Sequence, residues 1–140
     1  MALSDLVTIG FIYLICKENF SRRIGLLAVI FASLAVIHIQ LSHFFAVDVL
    51  MTTMSTGTIY FCLRIARYGK VRDSILAGVF FGLAIATKFS VVPLVLPIIY
   101  SHIISGGFTG NDRLSHYVGI LKRLIGFGAF LILVLFLTQP

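Results

Sequence analysis

Three ionisable side chains stand where a strongly apolar chain has little use for charge: His43, Asp48 and Lys88. An ionisable group in or beside a membrane-depth segment is expensive and is by default a functional hypothesis. A carboxylate at position 48 could hold a cation, hold sugar hydroxyls or act as a general base. His43 lies five residues before it, and an imidazole with a carboxylate is half of a divalent-metal site, which makes His43 and Asp48 the weak metal candidates. The Lys88 ammonium is a compact point charge suited to a phosphate. Each also has a plainer use: Asp48 as the acid favoured in a helix's first turn, Lys88 as a snorkelling anchor. Of the other histidines, His38 reads as an interfacial residue, and His102 and His116 carry no signal. Tyr13, Tyr60, Tyr100 and Tyr117 read as interface or packing aromatics. No glycine-rich phosphate loop, Ser-His-Asp order or Cys-x-x-Cys pair is present, and the thiols Cys16 and Cys62 sit singly in apolar runs.

The elements that must position these residues follow from the composition. Of 140 residues 59% are hydrophobic and only 11% charged, and the mean hydropathy is +1.08. A soluble domain is roughly 45–50% apolar and about 25% charged, so the fitting solvent is a bilayer. There every backbone N–H and C=O must be satisfied internally, which leaves helices or closed barrels. The apolar runs are continuous rather than alternating, so the expected fold is all-α, a polytopic transmembrane bundle.

The charges divide the chain. From Ile24 to Leu63 forty residues hold one charged side chain, Asp48, which is two spans of about 20 residues with a hairpin between them. His38, Gln40, Ser42 and His43 mark that hairpin. The whole chain, 1–140, is read as a single transmembrane helical region with helices at about 3–16, 24–41, 46–65, 73–88, 90–105 and 124–138. Pro93 fits the first turn of the fifth helix and Pro97 should kink it. Gly78 and Gly82 form a small-xxx-small pair that allows a neighbouring helix to approach closely.

If six helices alternate, ten of the eleven Lys and Arg fall in segments 17–23, 64–73 and 106–123 on one side, and only Lys88 on the other. The positive-inside rule makes those segments cytoplasmic and the N-terminus extracytoplasmic, in a multi-pass protein of the cell (inner) membrane. The net charge of +6 is therefore topological. Nothing in its distribution suggests nucleic acid.

The segment Leu41-Ser42-His43-Phe44-Phe45-Ala46-Val47-Asp48-Val49-Leu50-Met51-Thr52-Thr53 is followed by a basic turn and by Ala77-Gly78-Val79-Phe80-Phe81-Gly82-Leu83-Ala84-Ile85-Ala86-Thr87-Lys88-Phe89. In this order they resemble membrane glycosyltransferases of the GT-C fold. The group is the dolichyl-phosphate-mannose–protein mannosyltransferase-like family, which includes lipid A aminoarabinose transferases. The likeness covers roughly residues 21–100. It implies transfer of a sugar from a polyprenyl-phosphate donor to a protein or lipid acceptor on the extracytoplasmic face. Asp48 then matches the family's second extracytoplasmic acid near the sugar, and Lys88 lies close to the donor phosphate; His43 is the third substrate-binding candidate.

The resemblance also carries a departure. The family keeps its principal catalytic acid in a large first extracytoplasmic loop, and this chain starts beyond that point. The expectation is a piece of a longer transferase, or a truncated product, without the first catalytic acid and not catalytic by itself; no resident cofactor is expected with certainty, and the metal requirement stays open. Two other functions compete: a transporter using Asp48 and Lys88 as a coupling pair, and a non-catalytic membrane subunit associating through the Gly78/Gly82 face.

Overall fold

The computed structural model of the chain describes residues 2–35, 47–105 and 113–138. His38, Gln40, Ser42 and His43, the expected hairpin around them and the stretch 106–112 lie outside the described residues. Among the described residues every regular element is helical, in agreement with the all-α expectation. The helices are α1 (Ala2–Asn19), α2 (Arg22–Leu34), α3 (Val47–Tyr68), α4 (Val71–Thr87), a 3-10 turn (Phe89–Leu94), α5 (Val95–Ile104) and α6 (Arg113–Thr138).

Local chemistry sets several of the ends. Ser21 caps α2, its hydroxyl accepting the Ile24 N–H at 3.4 Å. Asp5 in α1, Asp48 in α3 and Asp73 in α4 sit in first turns, where the helix dipole favours an anion. Lys17 and Arg67 sit in last turns, where it favours a cation. Gly69 takes φ 61° and returns its N–H to Ile65 O at 2.8 Å. That left-handed residue ends α3 and lets α4 begin two residues later, antiparallel to it. Pro93 falls inside the 3-10 turn and Pro97 in the first turn of α5. The expected fifth helix is thus a 3-10 segment followed by a short α-helix. The final helix starts at Arg113, well before the apolar run from Leu124.

In space α1 packs against α2 and α3, α3 against α4 and α5, and α4 against α6, whereas α2 touches α1 alone among the described elements. One core cluster gathers Cys62, Phe81, Ala84, Val91 and Ile98. A second joins Tyr60, Phe61, Ile65 and Ala77, with Phe11 of α1 set edge-on to Phe80 at 5.5 Å. The Gly78/Gly82 pair is consumed within the chain. A Cβ on Gly78 would stand 2.6 Å from Phe127 O, and one on Gly82 3.0 Å from Val134 Cγ1. These glycines seat α6 on α4, which removes the face that an associating subunit would have used.

Among the described residues two helices are long and apolar enough to cross a bilayer, Val47–Tyr68 with mean hydropathy 1.2 and Tyr117–Thr138 with 2.3, and Phe89–Ile104 is a shorter apolar stretch. Only 11% of the second span is buried inside the protein. Ile132, Phe136 and Leu137 lie bare on it. A helix at the core of this chain would be covered by it, so this bare face calls for an apolar covering.

Candidate functional site

The α3–α4 hairpin brings the two ends of its arms together. From Asp48 in the first turn of α3 the chain runs down to the Gly69 turn, and α4 runs back up to Lys88. Helices of 22 and 17 residues span about 33 and 26 Å, and the long Lys88 side chain bridges the difference between their open ends. Lys88 ends α4 in an extended conformation, donating its N–H to Ala84 O at 3.1 Å. Its ammonium Nζ then donates to Asp48 Oδ1 at 2.8 Å. Two candidate residues forty positions apart are thus in direct contact. The third, His43, lies outside the described residues.

This ion pair is not a core staple. The side chains are 52% and 50% exposed, and an exposed pair of this kind contributes about 0–1 kcal/mol. What it does is hold a carboxylate and an ammonium open to one side, at a helix N-terminus whose dipole favours anions. The Thr52 hydroxyl donates to Asp48 O at 2.8 Å, and Ser90 Oγ stands 3.6 Å from Met51 Sδ beside the pair. One turn deeper, Thr53 Oγ1 lies 2.9 Å from Thr8 Oγ1 and 3.0 Å from Ser4 O, which ties the start of α1 to α3. No group of three His, Cys, Asp or Glu side chains able to hold a metal occurs among the described residues.

The opposite end holds a polar network that sequence reasoning passed over. Tyr60 donates its hydroxyl to Glu18 Oε1 at 3.0 Å and accepts from Arg64 Nη1 at 3.1 Å. Arg64 Nε stands 3.2 Å from Asp73 Oδ1, with Asp73 almost fully buried. These contacts chain α1, α3 and α4 together. His102, 1% exposed, has Nδ1 at 2.8 Å from Ile98 O, a group that only accepts. In the neutral ring Nδ1 therefore carries the proton, and Nε2 accepts from the Ser74 hydroxyl at 3.1 Å. Arg123, buried on α6, donates to Gly69 O at 2.9 Å and to Ser105 O at 3.1 Å, closing the C-terminal ends of α3 and α5. The signal for this network was a set of polar residues inside apolar helices: Ser74, Ser101, His102, Ser105 and Arg123. Such residues usually face a bundle interior.

The two ends therefore differ in kind. One is knotted by buried hydrogen bonds; the other presents an open pair of opposite charges. Compared with known proteins, the chain matches the family model for dolichyl-phosphate-mannose-protein mannosyltransferase over residues 1–138. No curated protein and no solved structure matches it.

Proposed function

The chain belongs to the dolichyl-phosphate-mannose-protein mannosyltransferase family, a family of membrane-embedded glycosyltransferases, and from that premise we propose that it serves sugar transfer from a polyprenyl-phosphate donor to a protein or lipid acceptor at the extracytoplasmic face. Asp48 contacts the sugar or the acceptor hydroxyl. Lys88 neutralises the donor phosphate, and His43 is a further substrate-binding candidate by sequence. The carrying observation is the half-exposed Lys88–Asp48 pair at 2.8 Å. An ammonium and a carboxylate side by side are what a phosphoryl-sugar needs, one for the phosphate and one for the hydroxyl-bearing ring.

The orientation belongs to the same proposal. Segments 17–23, 64–73 and 106–123 face the cytoplasm, and the N-terminus and the Asp48–Lys88 end face outward, in a multi-pass arrangement in the cell (inner) membrane. Supporting it, Lys17, Arg64, Arg67, Lys70 and Arg72 lie at or beside the ends of α1, α3 and α4, and Arg123, from within α6, donates to Gly69 O and Ser105 O at that same level, while Lys88 stands at the other end.

The test is transfer of labelled sugar from a polyprenyl-phosphate donor in membranes holding the protein as part of a full-length transferase that supplies the first catalytic acid. Asp48→Asn is expected to lower turnover by about 100-fold or more, in the range of a lost acid–base group. Lys88→Gln is expected to raise the donor KM. Unchanged turnover in Asp48→Asn would remove that residue from the site. Uptake of solute into vesicles that depends on Asp48, without sugar transfer, would favour a transporter instead.

A further inference from the structure

The basic end has a property that the count of charges does not reveal: its acids among the described residues, Glu18 and Asp73, are turned inward. Glu18 accepts from Tyr60 and lies 3.9 Å from Arg64, and Asp73 is buried against that same guanidinium. Arg123 is occupied by backbone carbonyls. Among the described residues, what remains outside there is of one sign. Lys17, Arg22 and Arg23 are exposed around the α1–α2 corner, and Arg67, Lys70 and Arg72 around the α3–α4 corner. Arg67 Nη1 donates to Glu18 O across the two corners, so they form one continuous rim.

The rim also has an apolar border. Phe20, Ile24, Tyr68 and Val71, each adjacent in sequence to these cations or one residue removed, are all exposed. Lys70 Nζ stands 5.5 Å from the Tyr68 ring centre. Arg22 and Arg23 open α2 with no acid in its first turn, so two cations lie against the positive end of a helix dipole. That placement is unfavourable in isolation and is relieved by an external anion. A partner that is anionic at one level and apolar immediately beside it is a phospholipid leaflet. An acidic protein or a nucleic acid would leave Phe20, Ile24 and Val71 uncovered.

We propose that this two-corner rim is a binding surface for anionic phospholipid headgroups, which it selects over zwitterionic ones. It rests on the membrane-embedded character of the family and not on the assignment of Asp48 and Lys88, so either can fail while the other stands. Juxtamembrane clusters of about four to eight Lys and Arg are of the size that recognises anionic lipid, and each charge near the surface changes binding by about fivefold.

The experiment uses the full chain in mixed micelles containing equal phosphatidylglycerol and phosphatidylcholine. The ratio of the two lipids retained after removal of free lipid is measured. The wild-type chain is expected to enrich phosphatidylglycerol, less so as salt is raised. Arg22→Gln/Arg23→Gln/Arg72→Gln is expected to lose most of that enrichment; these side chains make no hydrogen bond or ion pair among the described residues. Equal retention of both lipids by the wild type would overturn the proposal, as would an unchanged ratio in the triple variant. Should the triple variant not fold, the wild-type salt titration decides: enrichment indifferent to salt refutes a headgroup rim.

Discussion

Replacing Gly78 by alanine isolates the contact that seats α6 on α4. The new Cβ would lie 2.6 Å from Phe127 O and 3.3 Å from Phe127 Cα. Both are backbone atoms of a helix, so no side chain can rotate away to relieve the overlap. The helices must separate by most of an ångström to restore ordinary contact, and overpacking of this kind costs about 1–3 kcal/mol. Alanine returns about 1 kcal/mol through helix propensity. Gly128, also on α6, has nothing within 4 Å of its Cβ position and serves as the control, receiving the propensity gain without the clash. Thermal or SDS-induced unfolding of the purified chain in detergent should therefore rank Gly128→Ala at or above the wild type and Gly78→Ala below it. The two should differ by about 1–3 kcal/mol. Gly82→Ala should fall between them, because its nearest neighbour is the movable Val134 side chain at 3.0 Å. Equal stability of Gly78→Ala and Gly128→Ala would refute the close α4–α6 approach.

Three further outcomes are expected. His102→Leu and Ser74→Ala should each destabilise by about 1 kcal/mol, and the double variant by less than the sum, since both remove the same buried 3.1 Å hydrogen bond; strict additivity in the unfolding titration would deny the bond. Arg123→Gln breaks two charge-assisted bonds to helix-terminal carbonyls and should cost about 3 kcal/mol, with Arg123→Lys recovering only part of it because one ammonium does not reproduce the fork. Single cysteines introduced at Ser90 and at Lys70, with Cys16 and Cys62 replaced, should react with an impermeant thiol reagent from opposite sides of the membrane; labelling from one side would overturn the alternation of helices.

The sequence made the class of fold legible because class depends on composition and run length. A chain with one charged side chain between Ile24 and Leu63 has few solutions other than apolar helices. It also made Asp48 and Lys88 conspicuous, since each interrupts an apolar stretch. Their contact was less accessible, because it depends on how two antiparallel arms of unequal length meet around the left-handed Gly69. The network of Glu18, Tyr60, Arg64 and Asp73 was illegible for a related reason. Glu18 and Tyr60 are 42 residues apart, and which faces of α1 and α3 meet is decided by Phe11 and Gly57 packing, which no periodicity specifies. His102 read as an idle histidine at the end of an apolar stretch. Only the approach of α4 and α6 buries it beneath Ser74 and the Phe127 ring, 5.8 Å away. The start of α6 was hidden by Lys122 and Arg123, whose charges mimic a loop although Arg123 is buried.

The central claim is that Asp48 and Lys88 meet because each has its own task in sugar transfer, and the charge-swapped variant Asp48→Lys/Lys88→Asp addresses it most directly. The swap keeps one ammonium and one carboxylate at the same end, so an ion pair can re-form and the fold is retained, as the unfolding titration will report. If the carboxylate serves the sugar and the ammonium the phosphate, transfer from labelled polyprenyl-phosphate sugar stays as low in the swapped protein as in Asp48→Asn. Recovery of transfer to near the wild-type rate would contradict the account and reduce the pair to a structural contact.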